Sequence, residues 1–328
     1  MRFLLLCLLV FSTTFAQADD KTFSGFVQIR KDRELYVDWV KAAPGKPTAI
    51  LLNGLTYSTK QWDRFTQALS KRGIGVLRYD MYGMGQTLLK YAPLVEAISY
   101  KQQAQDLNAL TNVLGLKGKL NLVGLSYGGG IAMAFSQFYS ERVGVMVLMA
   151  PYTEPIEEQD RWIRSQIWYT RKLYPLHPAS DDELYDYFLR QIVYTTYPAA
   201  EPIVLENSYK LEAVFRMVQG IRKWTALSAA NSFPAKSVHL MIAGNDQYIK
   251  RQVMDDFWAG VPEESKASVI VVNNTEHKIP EAAPNFSAAW VAEILMKNRI
   301  LNSARNFEGD AITGVVRYEG GSFKLPHN

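Results

Sequence analysis

The sequence predicts an α/β protein: a mostly parallel sheet of eight strands, helices on both faces, and a helical cap inserted after the sixth strand. Three observations carry this. Short apolar runs such as those ending at Leu52, Tyr79, Val123 and Met149 suit strands buried on both faces. Segments of helical periodicity separate them, so successive strands are joined by right-handed crossovers and lie parallel. The alternation stops between Tyr152 and Ala235 and resumes at Ser237, as expected of one body carrying an insertion. At 328 residues the chain has room for both.

The elements follow in order. Met1-Arg2, the apolar run Phe3–Phe11 and the small-x-small site Ala16-Gln17-Ala18 read as a secretory signal peptide over residues 1–18, cleaved after Ala18. The run is too short to span a bilayer, so a secreted or periplasmic protein with no membrane span is expected. The one cysteine, Cys7, lies inside this segment, which leaves the mature chain without thiolate or disulfide chemistry.

Thr22–Arg30 and Glu34–Lys41 alternate apolar and polar residues around Lys31-Asp32-Arg33, a hairpin opening the sheet. Pro47–Leu52 is a buried strand ending at Asn53-Gly54-Leu55. Ser58 and Gln61 form a capping-box pair ahead of Trp62, Phe65 and Leu69. Gly75–Tyr79 is the next strand, followed by a long helix carrying Ala97, Ala104, Leu107, Leu110 and Leu114. Leu120–Val123 and Val143–Met149 are further buried strands. The body is thus 19–151 and 236–299, the cap 152–235, and 300–328 a tail to which the sequence assigns no role. In the cap, Ser180 and Glu183 open a helix over Asp181–Tyr194, and Pro202 suits the first turn of another. The cap is rich in aromatics. Most should glue it to the body, while a few, Trp162, Trp168 and Tyr169 among the candidates, should meet a substrate. Ser237–Ala243 ends at Gly244-Asn245-Asp246, Ala267–Val272 leads to His277, a helix runs from about Asn285 to Asn298, and Ala311–Tyr318 is a strand in the tail.

Ligands of such sheets bind at the carboxyl ends of the strands, and that is where the reactive residue types fall. Gly124-Leu125-Ser126-Tyr127-Gly128 sits between a strand and the small-residue helix that starts at Gly129. A serine on that tight turn holds its hydroxyl above the sheet edge, and flanking glycines leave room for the strain. The pattern alone arises by chance roughly once in ten chains of this length, so its context carries the argument. Serine needs a base. Of the four histidines, His177 is in the cap, His239 inside a strand and His327 beside the last residue; His277 alone follows a late sheet strand. Asp246 ends a strand, whereas Asp255 and Asp256 fall in a helix, which makes Asp246 the candidate acid. The backbone N–H groups of Leu55 and Tyr127 are the candidate oxyanion donors. No Lys-Ser/Thr pair follows Gly128-Gly129-Gly130 to hold phosphate, and neither a cofactor nor a metal is expected. A net charge of +4, scattered along the chain, argues against nucleic acid.

Leu51-Leu52-Asn53-Gly54, Arg78–Gly85, Gly124–Gly128, Gly244-Asn245-Asp246 and His277 with Pro280–Pro284 resemble the α/β-hydrolase superfamily. Within it they resemble capped monoacylglycerol-lipase-like esterases and proline-iminopeptidase-like serine peptidases. The resemblance covers Thr22–Lys297, and the order Ser126, Asp246, His277 is that superfamily's triad order. It implies that Asp80 is a structural acid bracing its turn. One departure is Asn53-Gly54, where the family usually has His-Gly; the backbone donor is unchanged. The expected function is a serine hydrolase of carboxylic esters with an apolar acyl or alcohol group, working on a small molecule through an acyl-enzyme. One alternative is an exopeptidase of the proline-iminopeptidase type acting on a short peptide or amide, with Glu154, Glu157, Glu158 and Asp160 holding the substrate ammonium. The other is a non-catalytic binding protein on a hydrolase frame.

Overall fold

In the computed structural model the described residues are 21–200, 209–297 and 305–327. Residues 1–18, read from sequence as a signal peptide, with Cys7, and Pro202 lie outside them. The hairpin β1 (Thr22–Arg30) and β2 (Arg33–Val40) leads into β3 (Thr48–Leu52) and β4 (Gly75–Asp80). Then follow β5 (Leu120–Leu125), β6 (Val143–Met149), β7 (Val238–Ala243) and β8 (Lys266–Asn273). The sheet runs β1-β2-β4-β3-β5-β6-β7-β8-β9-β10-β11. Its centre, from β4 through β9, is parallel, and the two ends are antiparallel.

Side chains alternate across the central strands as a doubly covered sheet requires. Ile50 and Leu52 of β3 pack into one core with Leu107, Leu110, Ile131 and Phe135. Ala49 and Leu51 pack into the other with Trp62, Phe65, Phe286 and Trp290. The first core is thus covered by α3 (Tyr100–Val113) and α4 (Tyr127–Tyr139), the second by α1 (Asp63–Ser70) and α10 (Pro284–Leu295). Among the other helices, α8 (Arg251–Gly260) and the short α9 (Ile279–Ala282) flank β8 in sequence.

Among the described residues the sheet has eleven strands, not eight. The additional three come from the tail: β9 (Asn306–Asp310), β10 (Val315–Tyr318) and β11 (Gly321–Lys324). β9 pairs in parallel with β8 from Val269↔Asn306 to Asn273↔Asp310, so β8 is not an open edge. Phe307 and Phe323 pack on Trp290, with ring centroids 5.0 and 6.5 Å away. The predicted strand Ala311–Tyr318 is real only over its second half. Asp310 Oδ1 accepts the N–H of Ile312 (2.9 Å) and of Thr313 (2.8 Å), and that turn reverses the chain before β10.

A second difference concerns the long helix expected after β4. The chain instead forms α2 (Gly85–Tyr91), breaks, and restarts at α3, leaving Ala97 in the link. Pro93 explains the break: it has no N–H, and it disfavours helical geometry in the residue before it. The Ser58/Gln61 capping box is present, with the Ser58 N–H donating to Gln61 Oε1 at 2.7 Å, but it opens a 3₁₀ turn ahead of α1.

Between β6 and β7 the described residues form three α-helices, α5 (Glu157–Leu173), α6 (Asp181–Ala200) and α7 (Lys210–Ile221). Ser180 and Glu183 cap α6 reciprocally, at 2.7 and 3.2 Å. The insertion meets the body closely at Gly220, where a Cβ would stand 2.2 Å from the carbonyl oxygen of Ile98. The Ile98 N–H donates to the carbonyl of Arg216 at 2.9 Å.

Candidate active site

Ser126 is the single residue between β5 and α4, and its backbone is strained, with φ 50° and ψ −114°. Its surroundings hold it there. The Ser126 N–H donates to the Met149 carbonyl (2.9 Å), and its carbonyl accepts from Gly129 and Tyr152 (both 2.9 Å). The glycines on either side are sterically required. A Cβ on Gly124 would lie 2.5 Å from the backbone of Gly128, and one on Gly128 would lie 2.1 Å from the Leu52 carbonyl oxygen. The G-x-S-x-G pattern is therefore a packing solution: β3, β5 and α4 converge too tightly for side chains at those two places.

His277 lies beyond the end of β8, and Asp246 beyond the end of β7. His277 Nδ1 is 2.8 Å from Asp246 Oδ2, with both side chains almost completely buried. The other carboxylate oxygen, Oδ1, accepts the backbone N–H groups of Tyr248 (2.8 Å) and Ile249 (2.9 Å). Those two bonds fix the carboxylate plane, and the Asn245 N–H donating to the Thr275 carbonyl (2.9 Å) ties the two loops together. The ring of Tyr248 stands edge-on to His277 at 5.1 Å. With Nδ1 facing a carboxylate, the tautomer favoured for His277 carries its proton there and leaves Nε2 as the acceptor.

The remaining candidates are placed elsewhere. His239 is buried in β7, bonded to Ser268 Oγ (2.8 Å), and desolvation lowers its pKa to about 4. His177 accepts the Ala179 N–H in the insertion. Asp255 and Asp256 are engaged along α8 by Arg251 and Gln252.

On the other side of Ser126 is the turn after β3. Asn53 is fully buried; its Nδ2 donates to the Tyr79 carbonyl (3.1 Å) and its Oδ1 accepts from Trp62 Nε1 (2.8 Å). The asparagine at the unusual position is thus a brace spanning β3, β4 and the 3₁₀ turn before α1. Asp80 braces the neighbouring turn, accepting the N–H groups of Thr59 and Gln86 (both 2.7 Å), and its burial raises its pKa against those bonds. Neither side chain lines the cavity; Leu55 does. Tyr127, as the first residue of α4, has an N–H without an intrahelical acceptor.

Ser126, His277, Leu55 and Tyr127 line one cavity of about 170 Å³, and Asp246 stands behind His277. The insertion contributes Ile156, Gln159, Thr196, Val218 and Ile221. The aromatics expected to meet a substrate, Trp162, Trp168 and Tyr169, do not line this cavity: each is about half exposed on α5. The buried residue of α5 is Ile163, so the helix is turned with its aliphatic side inward. The aromatic residues that do reach the cavity are tyrosines, Tyr57, Tyr127 and Tyr248 from the body and Tyr152 at the first position of the insertion. Tyr248 was readable as the residue two places after the candidate acid; Val218 and Ile221 share one face of α7, but nothing in sequence says which face turns inward. Glu154, Glu157, Glu158 and Asp160 are not cavity residues either. Glu157 pairs with Arg161, Glu158 with Lys250, and Asp160 with Arg164 and Tyr185. Among the described lining residues, Lys278 is the only lysine, arginine, aspartate or glutamate.

Comparison with known proteins extends this picture. Residues 43–281 match the family model described as serine aminopeptidase, S33. A 2-hydroxy-6-oxononadienedioate/2-hydroxy-6-oxononatrienedioate hydrolase of Paraburkholderia phymatum is 35% identical over 123 residues, covering 35% of this chain and 40% of that protein. This chain therefore matches well under half the length of that curated relative. An α/β hydrolase from a Medee basin deep-sea metagenome superposes with a TM-score of 0.61 at 18% identity, covering 84% of this chain and 98% of the other. A thermophilic esterase of Thermogutta terrifontis does so with a TM-score of 0.55 at 18% identity, covering 85% and 98%.

Proposed function

The chain belongs to the serine aminopeptidase S33 family of α/β hydrolases, and from that premise we propose that it is a serine hydrolase of carboxylic esters. Ser126 attacks the ester carbonyl while His277 Nε2 takes its proton. Asp246 fixes the tautomer and stabilises the imidazolium, and the N–H groups of Leu55 and Tyr127 receive the oxyanion. The tetrahedral intermediate collapses to an acyl-enzyme as the alcohol leaves with the proton from His277. Water then attacks with the same base. The observation that carries the proposal is one cavity holding a strained serine and a histidine already oriented by a buried carboxylate.

Two features favour an ester with an apolar group. The insertion presents aliphatic side chains, and no described lining residue is a carboxylate able to hold a substrate ammonium. The second feature weighs against an exopeptidase. In this reading residues 152–235 act as a cap that sets the substrate, and residues 1–18 direct export to a secreted or periplasmic location. The test is a panel of p-nitrophenyl acyl esters against proline β-naphthylamide, with a fluorophosphonate probe on the wild type. Ester turnover with labelling at Ser126 is expected. Preference for the amide would select the exopeptidase, and no labelling would select a non-catalytic binding protein.

A second reading is favoured by Lys278. Its cation on the cavity wall suits an acidic substrate, as the oxononadienedioate in the name of the curated relative would be. Faster cleavage of a hemisuccinate ester than of the matched butyrate, lost in Lys278→Met, would select it.

A further inference from the structure

We propose that the outer face of the helical insertion docks on a phospholipid bilayer carrying anionic headgroups. Residues 161–179 contain Arg161, Arg164, Arg171 and Lys172 and no aspartate or glutamate. With 3.6 residues per turn, Trp162, Tyr169 and Leu173 fall on one stripe of α5, flanked by Arg161, Lys172 and Trp168. The opposite side, with Ile163, faces the core.

The stripe is exposed, and the exposure increases toward its end: Trp168 is 56% accessible, Leu173 69% and Leu176 95%. Leu176 stands between Pro175 and Pro178 in the loop after α5, a bare aliphatic side chain on a stiffened turn. Lys172 Nζ lies 4.9 Å from the ring of Trp168, placing a cation within the aromatic surface. Trp162 continues the surface onto α6 through Phe188, 6.0 Å away, and Phe188 to Tyr187, 5.2 Å away. The arginines pair with acids outside the stripe, Arg161 with Glu157, Arg164 with Asp160 and Arg171 with Asp181, so the cation within the aromatic surface is Lys172.

Large apolar side chains left exposed together on one face mark an interaction site. Tryptophan, tyrosine and leucine interleaved with basic residues is the composition of a face that settles at the headgroup boundary. A single projecting leucine needs a preformed pocket on a protein partner, whereas an acyl layer yields to it. No helix among the described residues is long and apolar enough to cross a membrane, so the contact is peripheral.

The test uses the full chain sedimented with vesicles of phosphatidylcholine alone and of phosphatidylcholine with about one third phosphatidylglycerol. The wild type is expected to partition onto the anionic vesicles, several-fold less at about 0.5 M salt. The triple variant Tyr169→Ser/Leu173→Ser/Leu176→Ser should partition about tenfold more weakly or worse. Circular dichroism and the melting temperature should match the wild type, because these side chains are exposed. A wild type that stays in the supernatant with both vesicle types overturns the proposal, as does a folded triple variant that sediments like the wild type. Self-association of the wild type that the variant abolishes, with no vesicle binding, would assign the face to a protein contact instead.

Discussion

The two walls of the cavity are built in opposite ways. On the body side three polar side chains behind the surface are locked: Asn53 is fully buried between two hydrogen bonds, Asp80 accepts two backbone N–H groups, and Asp246 is held by two more. Gly124 and Gly128 leave no slack around Ser126. On the insertion side the wall is mainly aliphatic, with Gln159 and Thr196 beside Ile156, Val218 and Ile221, and some of what braces the helices is ionic and partly exposed, such as Arg190 with Glu212 and Lys223 with Asp182. Ion pairs of that kind contribute little each. On the proposed function, the difference teaches a division of labour: the body would fix where bonds break, and the insertion would be free to vary what is admitted.

The sharpest way to break this comparison is at the body wall. Ser126→Ala should lower kcat on an ester by on the order of 10⁶ with KM little changed. A variant retaining more than a few per cent of activity would remove Ser126 from the chemistry and with it the division just drawn. Asp246→Asn comes next, at about 10⁴-fold in kcat. Its amide accepts through one oxygen only, so it can keep the Tyr248 and Ile249 N–H groups or the correct His277 tautomer, but not both. A loss below tenfold would mean that the buried pair is structural.

A third expectation concerns stability. His239 has its pKa lowered from 6.5 to about 4 by burial in β7, so the folded state refuses a proton that the unfolded chain accepts. Its contribution is fully present above the unfolded value of 6.5. It is lost as pH falls from there toward about 4, by roughly 3 kcal/mol in all. Denaturant titrations across that range should show the loss in the wild type and its absence in His239→Gln. An equal slope in both would place the acid sensitivity elsewhere.

How much of this was legible in the sequence follows the same division. Gly124–Gly128 could be read because its glycines answer a local steric demand, and Asp246 and His277 because strand ends announce themselves by apolar runs stopping at polar turns. Asn53 was read as a departure; its role as a brace depends on Trp62 and Tyr79, whose contact no local pattern encodes. β9 to β11 are four or five residues long and draw their stability from β8 and Trp290, so only a fragment of the tail registered. The insertion resisted most. Aromatic content says that something is buried or bound, but the side of α5 that turns inward is set by tertiary packing, and Trp162, Trp168 and Tyr169 turned out.

The smallest expected effect is on the insertion wall, and it decides whether that wall tunes selectivity at all. Val218→Phe adds a ring to a cavity of about 170 Å³ without touching Ser126, His277 or Asp246. With a short acetyl ester, kcat should change by less than about threefold, because the transition-state contacts on the body side are intact. With a medium-chain acyl ester, kcat/KM should fall by about ten- to a hundredfold, the worth of displaced methylenes in a hydrophobic pocket. Chain length alone should therefore separate the two substrates in this variant, and the separation should vanish in Val218→Ala. If both esters lost activity equally, Val218 would be positioning the body's own residues. The two walls would then be one coupled unit, and the soft exterior of the insertion would say nothing about how substrates are chosen.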